Sequence, residues 1–262
     1  MSRISEAIWM KNHPVAIYRS DSIPEGAAVP GSHCGIPRLL VRVSRLGGIS
    51  ATDNEHSKCH GSKSGFGFGG ISDRYTSACS ASVVPLELRD KYKHKGAGQS
   101  YFKNPDIALK QMEPIKDYGD GSDVIVFEDL DSALAAGRPI EVVVFLVDPT
   151  RLTALMQLAA YSKTTPGPAV IMPYGHACQQ IYAIPRAEGE SDDPHAVVGM
   201  TDMYARRFIG KDQLSFAVPF KLYQRMDADV EESFLTKGKF KINFDTCLRD
   251  ELRDKLEESP DE

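Results

Sequence analysis

The feature that most constrains the fold is residues 140–147, Ile-Glu-Val-Val-Val-Phe-Leu-Val, followed at once by Asp148-Pro149. A nearly unbroken run of β-branched and aromatic residues fits a central strand buried on both faces, and such a strand needs helices on each side of its sheet. Asp148 is a good helix N-cap, and Pro149 suits the first helical turn, where a missing N–H costs nothing. Leu152, Leu155, Met156 and Ala159 then fall on one helical face. Strand, tight turn and helix together predict the beginning of an α/β unit.

The flanking sequence extends this pattern. Residues 13–18 read as a first strand. After a polar loop, Pro37 opens a helix with Ile36, Leu39, Leu40, Val43 and Leu46 at helical spacing, stopped by Gly47-Gly48. Further strands are predicted at 122–127, 169–172, 196–200 and 214–218, and helices at 129–136 and 220–235. Residues 53–70 read as a glycine-rich loop. Residues 86–123 are polar and punctuated by Gly and Pro, and read as an excursion carrying one short helix at 106–112. The sum is a single compact mixed α/β domain over residues 1–245, with a mixed sheet flanked by helices, followed by a charged tail at 246–262. Each half has a strand leading to a proline-opened helix with a cysteine downstream (Pro37 and Cys59, Pro149 and Cys178), a faint echo of internal duplication.

Composition removes several function classes. The 262 residues suffice to bury a core, but a net charge of -5 argues against broad nucleic-acid binding, which needs a basic face. No run reaches the roughly 18 apolar residues of a membrane span. The N-terminal residues mix Arg3, Glu6 and Lys11 with apolar positions, which fits an amphipathic helix facing Ile4 and Ile8 inward rather than a secretory leader. Five cysteines, Cys34, Cys59, Cys79, Cys178 and Cys247, are odd in number and widely spaced. They do not form a secreted disulfide framework, so reduced thiols and a cytoplasmic location are expected.

The chemistry-bearing residues cluster around these thiols. His33 precedes Cys34, His56 and His60 flank Cys59, and His176 lies just before Cys178. Thiolate and imidazole are ligands of soft and borderline metals, and three cysteines from distant loops can also hold an iron–sulfur cluster. Cys34 and Cys178 both stand near predicted helix starts, where a thiolate is stabilised. Spacing alone favours ordinary buried thiols over a convergent site. A second candidate is the loop from Cys59 to Gly70, in which Gly61 and Gly65 permit close backbone approach to an anion; a loop that packs its phenylalanines fits it better. It lacks the order of a phosphate-binding P-loop. A third is the stretch after the strand at 196–200, where Asp202 and Arg206 are placed to meet a ligand at a strand end, or to form a cap and a surface ion pair. No serine-hydrolase, zinc-protease, kinase or dinucleotide signature is present.

The order of these motifs resembles one family. Cys34 stands ahead of the first long helix, and Cys59-x-Gly61 precedes a glycine run. Val126-Phe127-Glu128-Asp129-Leu130 leads into an alanine-rich helix, and Val147-Asp148-Pro149 follows the central strand. Then come Tyr174-Gly175-x-Ala177-Cys178 with Pro185, Gly199-x-x-Asp202-x-x-Ala205-Arg206, and Phe216-x-Val218-Pro219. The pattern, over roughly residues 13–240, resembles the prokaryotic family called domain of unknown function 169. The resemblance implies a compact α/β domain with three cysteines at the positions of Cys34, Cys59 and Cys178, and it turns the preference toward a thiolate site. Three readings follow. The first is a metal or iron–sulfur protein on Cys34, Cys59 and Cys178, with His60 and His176 as accessory groups and a small molecule or redox partner. The second is a binding module for a small anion, using Gly61, Gly65, Asp202 and Arg206. The third is an enzyme with a cysteine nucleophile.

Overall fold

The computed structural model describes residues 2–31, 35–68, 71–91, 98–113, 124–239 and 242–244. Cys34, His33, the last two glycines of the loop, part of the excursion and the predicted tail at 246–262 lie outside them. In chain order the elements are α1 (Arg3–Ala7), β1 (Val15–Ser20), α2 (Gly35–Leu46), β2 (Ile49–Thr52), α3 (His60–Phe66), α4 (Ile71–Ala81), a 3-10 turn (Leu86–Leu88) and α5 (Pro105–Met112). There follow β3 (Val124–Asp129), α6 (Leu130–Ala135), β4 (Val142–Val147), α7 (Pro149–Tyr161), β5 (Val170–Ile171), a π-helical segment (Gln179–Ala183) and α8 (Ile184–Glu188). The order closes with β6 (Ala196–Gly199), α9 (Met203–Arg206), β7 (Leu214–Pro219), α10 (Phe220–Asp229) and α11 (Phe234–Lys237). Among the described residues no helix is long and apolar enough to cross a membrane.

The strands form one seven-stranded mixed sheet in the order β2-β3-β1-β4-β7-β6-β5. Among the strands of the described residues only β5 and β6 pair in parallel; β4 lies between antiparallel β1 and β7. β4, the strand formed by residues 142–147 of the predicted run, is thus central and buried at every position. Its alternation divides the core. Val143, Phe145 and Val147 face α1, α6, α7 and α10, while Val142, Val144 and Leu146 face α2, α3 and the helix at 177–188. Helices therefore cover both faces in a mixed α/β domain. The two proline-opened helices, α2 and α7, lie on opposite faces.

Local chemistry accounts for the element ends. Asp148 caps α7 by accepting from the N–H groups of Thr150 and Arg151, each at 3.0 Å. Buried Arg151 then donates to the carbonyls of Ile8 at 3.0 Å, Trp9 at 2.9 Å and Phe244 at 3.2 Å, tying the segments around residues 8–9 and 244 to α7. The predicted helix at 220–235 is instead two pieces. Asp227, Asp229, Glu231 and Glu232 crowd its middle with negative charge, which opposes the dipole of a helix C-terminus, and Ser233 caps a new turn at Leu235. Residues 60–66 are helical rather than loop, and α4 precedes the excursion.

Candidate functional site

The site lies on the face covered by α2, α3 and the helix at 177–188. Sequence composition argues against α3, since His-Gly-Ser-Lys-Ser-Gly-Phe has poor helix propensity. Tertiary packing supplies what propensity lacks. Phe66 is buried edge-on against Phe127 and tilted against Tyr182, with ring centres 5.9 and 5.4 Å away. Gly67 ends the helix in the left-handed conformation, φ 76°. The two helical glycines serve approach. A Cβ on Gly61 would stand 3.2 Å from the His176 ring, and one on Gly65 would stand 2.6 Å from Cys178 Cβ. Gly61 and Gly65, a candidate anion-binding pair in the sequence, form the surface on which two helices meet.

The helix at 177–188 opens with a half capping box. Gln179 reaches back to accept the His176 N–H at 2.9 Å, and its amide donates to Ser64 of α3 at 2.8 Å. Pro185 lies inside this helix. It has no N–H to donate, and its ring would strike the carbonyl one turn earlier, so the preceding turn widens into the π segment. On the neighbouring strand, Gly199 gives way to Met200 in the left-handed region, φ 59°, a conformation unfavourable to a side chain. That reversal presents Thr201 and Asp202 to the site. Gln180 fastens it, donating to Thr201 Oγ1 at 2.7 Å and accepting from Thr201 N–H at 3.1 Å.

These elements enclose a cavity of about 320 Å³. Cys59, His60, Gly61, His176, Cys178 and Asp202, all singled out from the sequence, line it. The reading missed Pro37, Ser80, Gln99 and Tyr204, which line it as well. Ser80 and Gln99 come from α4 and the excursion, so the least regular part of the chain forms one wall. Gly65 stands behind Cys178 in the helix contact. Cys34 lies outside the described residues. Cys79 is buried against Val84 instead.

Hydrogen bonding defines the polar wall. Asp202 caps α9 through the Tyr204 N–H at 2.9 Å, accepts from the Tyr101 hydroxyl at 3.3 Å, and faces His176 Nδ1 at 3.5 Å. The other ring nitrogen of His176 lies 3.2 Å from the Ser77 carbonyl. Both ring nitrogens therefore face acceptors. Burial pushes the Asp202 carboxyl up, but His176 and the N–H groups of Tyr204 and Ala205 outweigh it and hold the group below the usual carboxylate range. Burial pushes Tyr174 upward, reinforced by Asp202 and Tyr101. The hydroxyls of Tyr174 and Ser77 are buried with no hydrogen-bond partner among the described residues.

The thiols differ. Cys59 is half-buried at the N-cap of α3, where its sulfur accepts the Ser62 N–H at 3.3 Å. Cys178 stands in the first turn of its helix, a position expected to favour thiolate. Burial dominates there, and with Cys59 and Asp202 nearby it pushes the thiol well above its ordinary value. Among the described residues, no three His, Cys, Asp or Glu side chains are grouped closely enough to hold a metal ion. Arg206 does not reach the cavity or pair with Asp202. Its guanidinium donates to the carbonyls of Gly210, Lys211 and Gln213, closing the turn before β7.

Comparison with known proteins agrees with the motif order. No curated protein and no solved structure matches the chain significantly. A family model does: that of domain of unknown function 169, described as uncharacterised ArCR, matches residues 3–228 and so takes in every described residue of the cavity. The chain belongs to the family of domain of unknown function 169.

Proposed function

We propose that this cavity is the functional site and that it works through thiolate sulfur, holding an iron–sulfur cluster or a single transition metal on Cys34, Cys59 and Cys178. The observation that carries the reading is that two cysteines from distant parts of the chain line one cavity beside an imidazole–carboxylate pair. Pro37, a near neighbour of Cys34 in sequence, lines it too. Sulfur and imidazole suit soft and borderline metals. In the metal-free chain Cys178 is held neutral by burial. A bound cation supplies the charge that lets such a thiol ionise, so binding releases protons. His60 and His176 then act as accessory groups, and a small molecule or redox partner completes the system.

The test is purification without oxygen, with iron, zinc and acid-labile sulfide measured per chain alongside the visible spectrum. Iron and sulfide together, absent from Cys59→Ser and Cys178→Ser, are the expected result. Zinc alone reassigns the site to structural or hydrolytic work. A colourless, metal-free protein overturns the metal reading.

A second reading rests on Cys59 itself, whose partly exposed sulfur accepts a backbone N–H and faces the same cavity. That environment suits a nucleophilic thiolate. Iodoacetamide labelling of the metal-free protein, mapped by mass spectrometry, checks it: Cys59 must react far faster than Cys79 and Cys178.

A further inference from the structure

We propose that Arg38 and Arg207 form an oxyanion-binding mouth to the thiol cavity, so that the molecule admitted is a small phosphate- or carboxylate-bearing compound. The inference rests on the reading of the cavity as the functional site and adds the chemical class of its ligand.

The two side chains converge on one ring. The guanidinium carbons of Arg38 and Arg207 each stand 5.0 Å from the centre of Phe208, and that of Arg207 lies 3.9 Å from the centre of Tyr204. Tyr204 is 41% exposed and also lines the cavity, and Arg38 follows the lining residue Pro37. Arg207 therefore stacks on a residue of the cavity wall and shares the Phe208 ring with Arg38, and Cys59 and His176 line the same cavity. Stacking on an aromatic ring holds a guanidinium flat and leaves its N–H edges for a ligand.

Their charges are unanswered. Arg19, Arg138, Arg151 and Arg186 each pair with a carboxylate. Arg38 and Arg207 have no carboxylate partner among the described residues, although the chain carries net charge -5. Two exposed cations sharing one ring and lacking a carboxylate partner among the described residues favour a nearby anion, and the planar guanidinium fork matches phosphate and carboxylate alike. The neighbouring Arg206 is spent on backbone carbonyls, which leaves Arg207 as the residue of this turn directed to a ligand.

The experiment uses the full chain, metal-free, at fixed ionic strength. Calorimetric titration with inorganic pyrophosphate and, separately, with succinate reads binding. Iodoacetamide labelling of Cys59, with and without each anion, reads whether the anion sits at the cavity mouth. The expected result is saturable binding that slows labelling, weakened about tenfold or more in Arg38→Gln and in Arg207→Gln, equivalent to about 1.4 kcal/mol each. Arg45→Gln, an exposed arginine farther along α2, should bind as the unaltered chain does. Binding of pyrophosphate alone assigns phosphate, and of succinate alone carboxylate; either supports the mouth. Binding by neither, or equal binding by the Arg38 and Arg207 variants, overturns it. An unreactive Cys59 beside arginine-dependent binding counts against the nucleophile and leaves the mouth intact, while metal content is read separately.

Discussion

Replacing Gly65 with alanine probes the helix contact that holds Cys178 at the cavity. The new Cβ would stand 2.6 Å from Cys178 Cβ, 2.7 Å from its carbonyl carbon and 2.9 Å from the Gln179 nitrogen. Two of these atoms are backbone, in a helix whose first turn is pinned by Gln179 and Gln180 N–H groups on the His176 carbonyl. They cannot move alone. Carbon pairs settle at about 3.5–4.0 Å, so α3 and the helix at 177–188 must part by about 1 Å. That separation loosens Phe66 from Phe127 and Tyr182. Over-packing of this kind costs about 1–3 kcal/mol, while alanine regains about 0.8–1.0 kcal/mol over glycine in a helix interior. The net expectation is a loss of up to about 2 kcal/mol, or as much as roughly 4–8 °C in Tm for a chain of this size. Urea unfolding followed by circular dichroism measures the loss, and thiol labelling should show Cys178 more accessible. Gly61→Ala is the control, because its neighbour is the His176 ring, which can turn aside; it should lose less stability. A Gly65→Ala protein as stable as the parent, with Cys178 equally protected, would refute the close contact.

Three other perturbations probe different parts of the molecule. Tyr101→Phe removes the hydroxyl that joins Asp202 and the Tyr204 N–H, and should cost about 0.5–1.5 kcal/mol in urea unfolding; no loss would mean that the excursion does not bear on the site. Arg151→Ala strands the Ile8, Trp9 and Phe244 carbonyls and should cost about 3–5 kcal/mol, the range for breaking a buried charged network; a loss under about 1 kcal/mol would contradict its tethering role. Asp202 titrates below its unfolded value, so its ionised form stabilises the fold above the unfolded carboxylate range, and this contribution disappears as pH falls through the folded value. Asp202→Asn keeps a capping side chain and should be less stable than the parent at pH 7, with the gap closing as pH falls through the lowered value of the folded carboxyl; an unchanged gap would sink the assignment.

Much of the framework was legible in the chain. The run at 140–147 announced a strand buried on both faces because six successive apolar residues, Val142 to Val147, leave no solvent-facing alternation. Asp148-Pro149 announced α7 because capping is local chemistry between residues a turn apart. The motif order also identified the family. Other features depended on partners far along the chain. α3 is helical because Gly61 and Gly65 meet His176 and Cys178, which no local window reveals. The excursion looked like an appendage, yet it delivers Gln99 to the cavity and Tyr101 to Asp202. The acidic residues between 227 and 232 split a helix whose apolar stripe suggested continuity.

The same division holds for the candidate site. Residue chemistry marked Cys59, His60, His176, Cys178 and Asp202, since thiols and imidazoles so close in sequence are conspicuous. Only the tertiary structure decided that they share a cavity, that burial keeps Cys178 neutral, and that Arg206 closes a turn while Arg207 faces outward. Periodicity and capping act over a few residues and can be read directly from order. Convergence, burial and the choice between two adjacent arginines depend on which distant segments the folded chain brings alongside.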